Sequence, residues 1–231
     1  MRKYIAEFIG TCVLVTLGCG TAMLVGCDAA SGCGYILTAL AFGLVIVGMA
    51  YCVGNISGCH INPAVSVAVF CTGGMSLKEL IFYIIAQCLG AFAGSGILSA
   101  IFTLGGVEDK TGGFGANGLA GVNGSAAAGI IVEIVLTFVF VLTILGVTSK
   151  KANHGSFGGL IIGLTLTLVH ILGIGLTGTS VNPARSIAPA VIAAINGNGQ
   201  PLSELWVFIG APIIGACIAA VVYKLLEHES K

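Results

Sequence analysis

Two asparagines, each followed by proline and alanine, stand at Asn62-Pro63-Ala64 and Asn182-Pro183-Ala184 inside very apolar sequence. Arg185 directly follows the second triplet, and His60, His170, Glu7 and Glu133 are the other polar candidates. An asparagine amide donates and accepts hydrogen bonds without being a nucleophile or a base. Arg185 adds a fixed positive charge with five donors, and His170 adds one imidazole. Such groups hold and orient a small polar molecule. No C-x-x-C pair supports a metal site. The chain therefore reads as no enzyme, with no cofactor and no metal.

These residues need elements to hold them at membrane depth. Asparagine is a good helix N-cap and proline suits the first helical position. Each triplet thus predicts a helix start. Both helices must be short: residues 65–71 precede Thr72-Gly73-Gly74, and 185–195 precede Asn196-Gly197. Ten helical residues rise ~15 Å, about half of a hydrocarbon core ~30 Å thick. Two half-spanning helices with N-termini near the bilayer midplane are expected. Opposed N-termini present about half an elementary positive charge each and repel a cation. The Asn62 and Asn182 amides can donate to a passing water, turning its hydrogens away from the midplane and interrupting a proton wire.

Composition sets the class. The chain is 57% hydrophobic and 8% charged, with a mean hydropathy of +1.08. Soluble domains carry about 25% charged residues, so this is an integral membrane protein. Its formal net charge of zero argues against a nucleic-acid partner. The apolar run after Arg2 and Lys3 is too long for a signal h-region and lacks an A-x-A-like site, so it reads as the first span. Six full spans are predicted, at about 4–25, 35–53, 80–103, 127–148, 157–177 and 205–223. Residues 104–126 form a connector with eight glycines and Glu108, Asp109 and Lys110. Cytoplasmic termini put Arg2, Lys3, Lys78, Lys150, Lys151, Lys224 and Lys231 inside and only Lys110 outside, in line with the positive-inside rule.

The order span, span, half-helix, span occurs twice. Asn62 and Asn182 are 120 residues apart, and Glu7 and Glu133 are 126 apart. A single channel domain, 1–231, with a first repeat at 1–105 and a second at 125–231 is expected. Three spans per repeat force the second to be inverted. Inverted repeats with broken helices place the functional site at the midplane. Non-helical backbone is tolerated there only when buried in protein or lining a wet cavity. Gly58, Cys59 and His60 in one repeat, and Gly178 and Ser180 in the other, are the candidates for such pore-lining backbone. Glu7 and Glu133 are expected to accept from loop N–H groups once per repeat; a proton relay is the other reading. Gly90/Gly94 and Gly159/Gly163 have the spacing that lets helices approach closely.

The chain resembles the aquaporin family. The resemblance rests on both N-P-A boxes, the second continuing as Arg185-Ser186, and on the stretch I-S-G-C-H-I-N-P-A-V at 56–65. Ala41-Phe42-Gly43-Leu44, Ala86-Gln87 and Leu168-Val169-His170 point to the bacterial water-selective, aquaporin Z-type subgroup. It implies an all-α membrane fold of six transmembrane helices plus two half-spanning re-entrant helices in an inverted repeat. It also implies a selectivity filter of Phe42, His170, Thr179 and Arg185 that narrows the lumen to about one water. Glycerol-conducting relatives typically have glycine at the His170 position and aspartate at the Ser186 position, so water is favoured as permeant. Phe208 is followed by Ile209, where water-selective members usually have an aromatic pair. Gly173 and Gly175 would make the wall beside His170 more pliable. The resemblance further implies a homotetramer in the plasma membrane. His60 is expected near the cytoplasmic mouth, in a pore or a structural role.

Alternatives stay open on the residues alone: a channel for glycerol or other small uncharged solutes, an ion-coupled transporter, or a junction protein without transport. Most of the nine cysteines fall in spans, where a thiol acts as a small apolar group. Cys27 and Cys33 flank the first outer loop and either pair or remain thiols. Cys59, beside His60, is expected to be where thiol reagents from the cytoplasmic side block flow.

Overall fold

The computed structural model describes residues 1–27, 33–149, 151 and 154–228 of the 231-residue chain. All regular structure among the described residues is helical. The first crossing stretch is α1 (Arg2–Leu14), a wider π-helical turn (Val15–Cys19) and α2 (Gly20–Val25). Five more long helices follow: α3 (Cys33–Ser57), α5 (Leu77–Gly105), α6 (Ala126–Val147), α7 (Gly158–Thr177) and α9 (Gln200–His228). These six stretches are long and apolar enough to cross a membrane. Two short helices lie between them, α4 (Pro63–Cys71) and α8 (Pro183–Ile195).

Helix ends follow their capping chemistry and not the edges of the apolar runs. α5 begins three residues earlier than hydropathy suggests because Ser76 caps it. The Ser76 hydroxyl accepts from Glu79 N–H while the Glu79 carboxylate accepts from Ser76 N–H. α9, Gln200–His228, also runs past the expected 205–223 at both ends. The first span is continuous from Arg2 to Val25, as expected, and widens into a π-helical turn at 15–19.

α1 packs on α5, α3 on α7, and α6 on α9. Glycines let these pairs approach. A Cβ at Gly90 would sit 2.2 Å from the Phe8 carbonyl oxygen, and one at Gly163 would sit 2.5 Å from that of Gly43. Gly90→Ala is expected to force α1 and α5 apart at a cost of ~1–3 kcal/mol. Thermal unfolding in detergent checks this; an unchanged midpoint would rule out the close contact. Each short helix leans on long helices from both halves of the chain: α4 on α9 and α5, α8 on α5 and α9.

Polarity is distributed inside out. Leu24, Leu44, Ile101, Ile131, Leu168 and Val221 point outward and are more than half exposed. Glu7, Asn62, Glu133, His170, Asn182 and Arg185 are all buried. Apolar surface on all six crossing stretches suits lipid, and the polar groups need internal partners. The connector is folded and does not hang free. Asp109 accepts from Thr111 N–H, the Thr111 hydroxyl and Phe114 N–H, which turns the chain inward toward Gly115. Lys150 and Lys231 of the charge asymmetry lie outside the described residues. So does the Cys33 side chain, and with it any Cys27–Cys33 pairing. The other eight cysteines form no disulfide with one another.

Candidate functional site

The two asparagines cap the two short helices and clasp one another's loops. Asn62 Oδ1 accepts from Ala64 N–H at 2.8 Å, and Asn182 Oδ1 accepts from Ala184 N–H at 3.1 Å. Pro63 and Pro183 occupy the first helical positions. Asn62 Nδ2 donates to the Val181 carbonyl at 2.7 Å, and Asn182 Nδ2 donates to the Ile61 carbonyl at 2.9 Å. Each amide nitrogen carries two hydrogens. One makes the clasp, and the second remains for a molecule in the cavity that both side chains line.

The loops before the asparagines share one strained conformation. Gly58, Cys59 and Ile61 have φ of +85°, +51° and +40°; Gly178, Thr179 and Val181 have +73°, +51° and +45°. Positive φ in a β-branched residue is a true outlier and costs about 1–3 kcal/mol per residue. Two buried carboxylates hold the loops there. Glu7 accepts from His60 N–H (2.9 Å), Ile61 N–H (2.6 Å), the Ser57 hydroxyl (2.7 Å) and Gln87 Nε2 (2.7 Å). Glu133 accepts from Ser180 N–H (2.9 Å), Val181 N–H (2.8 Å) and the Thr177 hydroxyl (2.6 Å). Charge-assisted bonds to backbone N–H groups are strong enough to offset such strain.

A constriction lies on one side of the clasp. The Phe42 and His170 rings stack with centroids 4.5 Å apart, and the Arg185 guanidinium carbon lies 5.0 Å from the Phe42 centroid. Arg185 Nη1 donates to the Gly115 carbonyl at 2.7 Å, and Nη2 reaches that of Gly178 at 3.5 Å. His170 Nδ1 is 2.9 Å from the Leu166 carbonyl. A carbonyl only accepts, so Nδ1 carries a proton, and in the neutral ring Nε2 keeps its lone pair. Arg185 Nε and His170 Nε2 are buried without a protein partner. A buried donor and acceptor left this way call for a polar guest. The narrow cavity that runs from these side chains past both asparagines to His60 leaves only ≈ 10 Å³ open to the centre of a water over its whole length, a lumen narrowed to about one molecule. Arg185 also borders a vestibule of ≈ 440 Å³, lined by Thr38, Lys110 and Ala116. The vestibule, the constriction and the asparagine clasp therefore follow one another, and His60 lines the same narrow cavity as the clasp.

Not every expected site residue faces that cavity. The Thr179 side chain turns to α7, where a Cβ on Gly173 would lie 2.3 Å from its hydroxyl oxygen. Gly173 thus makes room for the loop. Cys59 packs on the apolar core, and its thiol is not among the groups that line the cavity. His60 Nδ1 bonds the Ser66 hydroxyl at 3.0 Å, and Gln87 bonds both Ser66 and Glu7. Phe208 is buried and its carbonyl accepts from the Ser180 hydroxyl at 3.4 Å.

The description of the major intrinsic protein family matches residues 1–223. The chain belongs to this family. The major intrinsic proteins it resembles include an aquaporin Z from Brucella melitensis, 44% identical, covering 97% of each chain. An aquaporin Z from Rhodopseudomonas palustris is 40% identical over 99% of this chain and 94% of its own. The X-ray structure of the aquaglyceroporin from Plasmodium falciparum superposes with a TM-score of 0.84, covering 96% and 94% of the two chains at 24% identity, which speaks for the fold.

Several residues that build this major intrinsic protein site had no assigned role in the sequence. Ser57 and Thr177 carried a legible signal, since each hydroxyl stands five residues before its asparagine. Gln87, an amide inside an apolar span, was another. Asn117, which donates to the Thr177 carbonyl at 3.1 Å and accepts from the Ser186 hydroxyl at 2.8 Å, gave none.

Proposed function

We propose that this protein is a passive channel that conducts single-file water across the membrane and excludes ions and protons. One observation carries the reading: a passage with room for about one water, bounded by Arg185, His170 and Phe42 and leading to two half-used asparagine amides. The aquaporin Z names of relatives at 40% and 44% identity support water as permeant. Phe42, His170, Thr179 and Arg185 act as the selectivity filter, Thr179 through its backbone. Asn62 and Asn182 orient water at the midplane. Carbonyls of Gly58, Cys59, His60, Gly178 and Ser180 line the path, and Glu7 and Glu133 hold the loops. Residues 1–105 and 125–231 are the two inverted repeats. The chain works as a homotetramer in the plasma membrane, with both termini cytoplasmic as the basic residues direct. The family's members are channels and not enzymes.

Stopped-flow light scattering on proteoliposomes tests this. Vesicles holding the protein should shrink under an osmotic step far faster than empty ones, while glycerol entry stays at the empty-vesicle rate. Rapid glycerol entry would instead support the small-solute channel, and saturable, gradient-driven uptake would support the transporter.

A further inference from the structure

The π-helical turn at Val15–Cys19 takes no part in the clasp or in either loop. Such turns insert an extra residue into an α-helix and occur often at functional sites. This one touches the constriction at two separate points. Gly18 lies against the edge of the Phe42 ring: a Cβ there would be 2.4 Å from Cε1, 2.6 Å from Cδ1 and 2.7 Å from Cζ. The ring cannot swing freely away, because it is buried, stacked on His170 and within reach of Arg185. The next residue, Cys19, is also fully buried. A Cβ on Gly115 would meet Cys19 Cβ at 2.9 Å and its carbonyl oxygen at 3.1 Å. Gly115 is the residue whose carbonyl holds Arg185 Nη1 at 2.7 Å.

We infer that the wide turn of the first crossing stretch positions the filter, with Gly18 setting where the Phe42 ring stands and Cys19 backing the Gly115 carbonyl that fixes Arg185. The two filter members come from different parts of the fold, α3 and α8. One irregular turn between them keeps their separation constant. Gly18 is then a positioning residue for the filter although it does not line the cavity. The inference rests on the water-channel reading and adds a residue to it.

The test is a double-mutant cycle on the full chain in proteoliposomes, with Gly48→Ala as control. Gly48 lies in α3, and a Cβ added there would meet nothing within 4 Å, so that variant should match the parent in water flux. Gly18→Ala is expected to lower water permeability roughly tenfold or more, the effect of an overpacked site on a rate. Phe42→Leu in the Gly18→Ala background should restore water flux to the level of Phe42→Leu alone, because the shorter side chain clears the added methyl and the two changes are then non-additive. If Gly18→Ala does not fold, recovery of both folding and flux in the double variant carries the same weight. Unchanged water flux in Gly18→Ala, or a double variant no better than the single one, overturns the inference. A parent protein that carries no water would sink the channel reading itself, which is a separate result.

Discussion

Glu133→Ala should abolish water flux and lower the unfolding midpoint, because one carboxylate closes an entire loop. It removes the acceptor of Ser180 N–H, Val181 N–H and the Thr177 hydroxyl at once. Each buried donor left unpaired costs about 1–3 kcal/mol. The loop also keeps two non-glycine residues, Thr179 and Val181, at positive φ, and without the carboxylate that strain is free to relax. Relaxation moves the Val181 carbonyl away from Asn62 Nδ2 and opens the clasp. Glu133→Gln keeps the volume but points an NH2 group at a donor, so it should fall between the parent and the alanine variant. Thermal unfolding in detergent read beside vesicle water flux checks both. A Glu133→Ala protein with the parent's midpoint and flux would refute the anchoring role. A Glu133→Gln protein that is as stable as the parent yet inactive would favour the proton-relay alternative.

Arg185→Val should raise glycerol entry at least roughly tenfold, which corresponds to only ~1.4 kcal/mol off the barrier, and should let protons leak. The guanidinium occupies the boundary between the wide vestibule and the one-water passage. Valine, the residue at the matching position 65 of the first box, leaves that boundary open and uncharged. It also leaves the Gly115 carbonyl without its donor, so the connector should loosen. Glycerol, water and proton flux measured on one preparation check this. An unaltered solute profile would remove Arg185 from the filter.

Much of this architecture was legible in the chain because the membrane leaves few choices. Six long apolar runs can only be helices, and two Asn-Pro starts with short apolar sequels can only be partial crossings. The buried acids were legible because a lone Glu7 or Glu133 in such a run must find donors, and the loops beside Asn62 and Asn182 offer them. Less could be seen of how side chains turn. Thr179 matches a filter position, yet its hydroxyl faces Gly173; orientation depends on a backbone φ of +51° that no local pattern announces. The same holds for Cys59, whose thiol packs on the core. The connector at 104–126 showed in the sequence only its eight glycines and three charges. Its Gly115 and Asn117 instead hold Arg185 and Ser186, contacts of 70 and 69 residues' separation that only the closed fold creates. The wide turn at Val15–Cys19 has no signature at all beyond Gly18 and Gly20.

The most direct measurement follows water and protons in the same vesicles, loading them with a pH-sensitive dye and applying an osmotic step and then a pH step. Orienting amides at the clasp and the charge of Arg185 require fast shrinkage together with a pH that decays no faster than in empty vesicles. Shrinkage at the rate of bare lipid, or a proton leak that rises in step with water flux, would contradict a proton-excluding water channel.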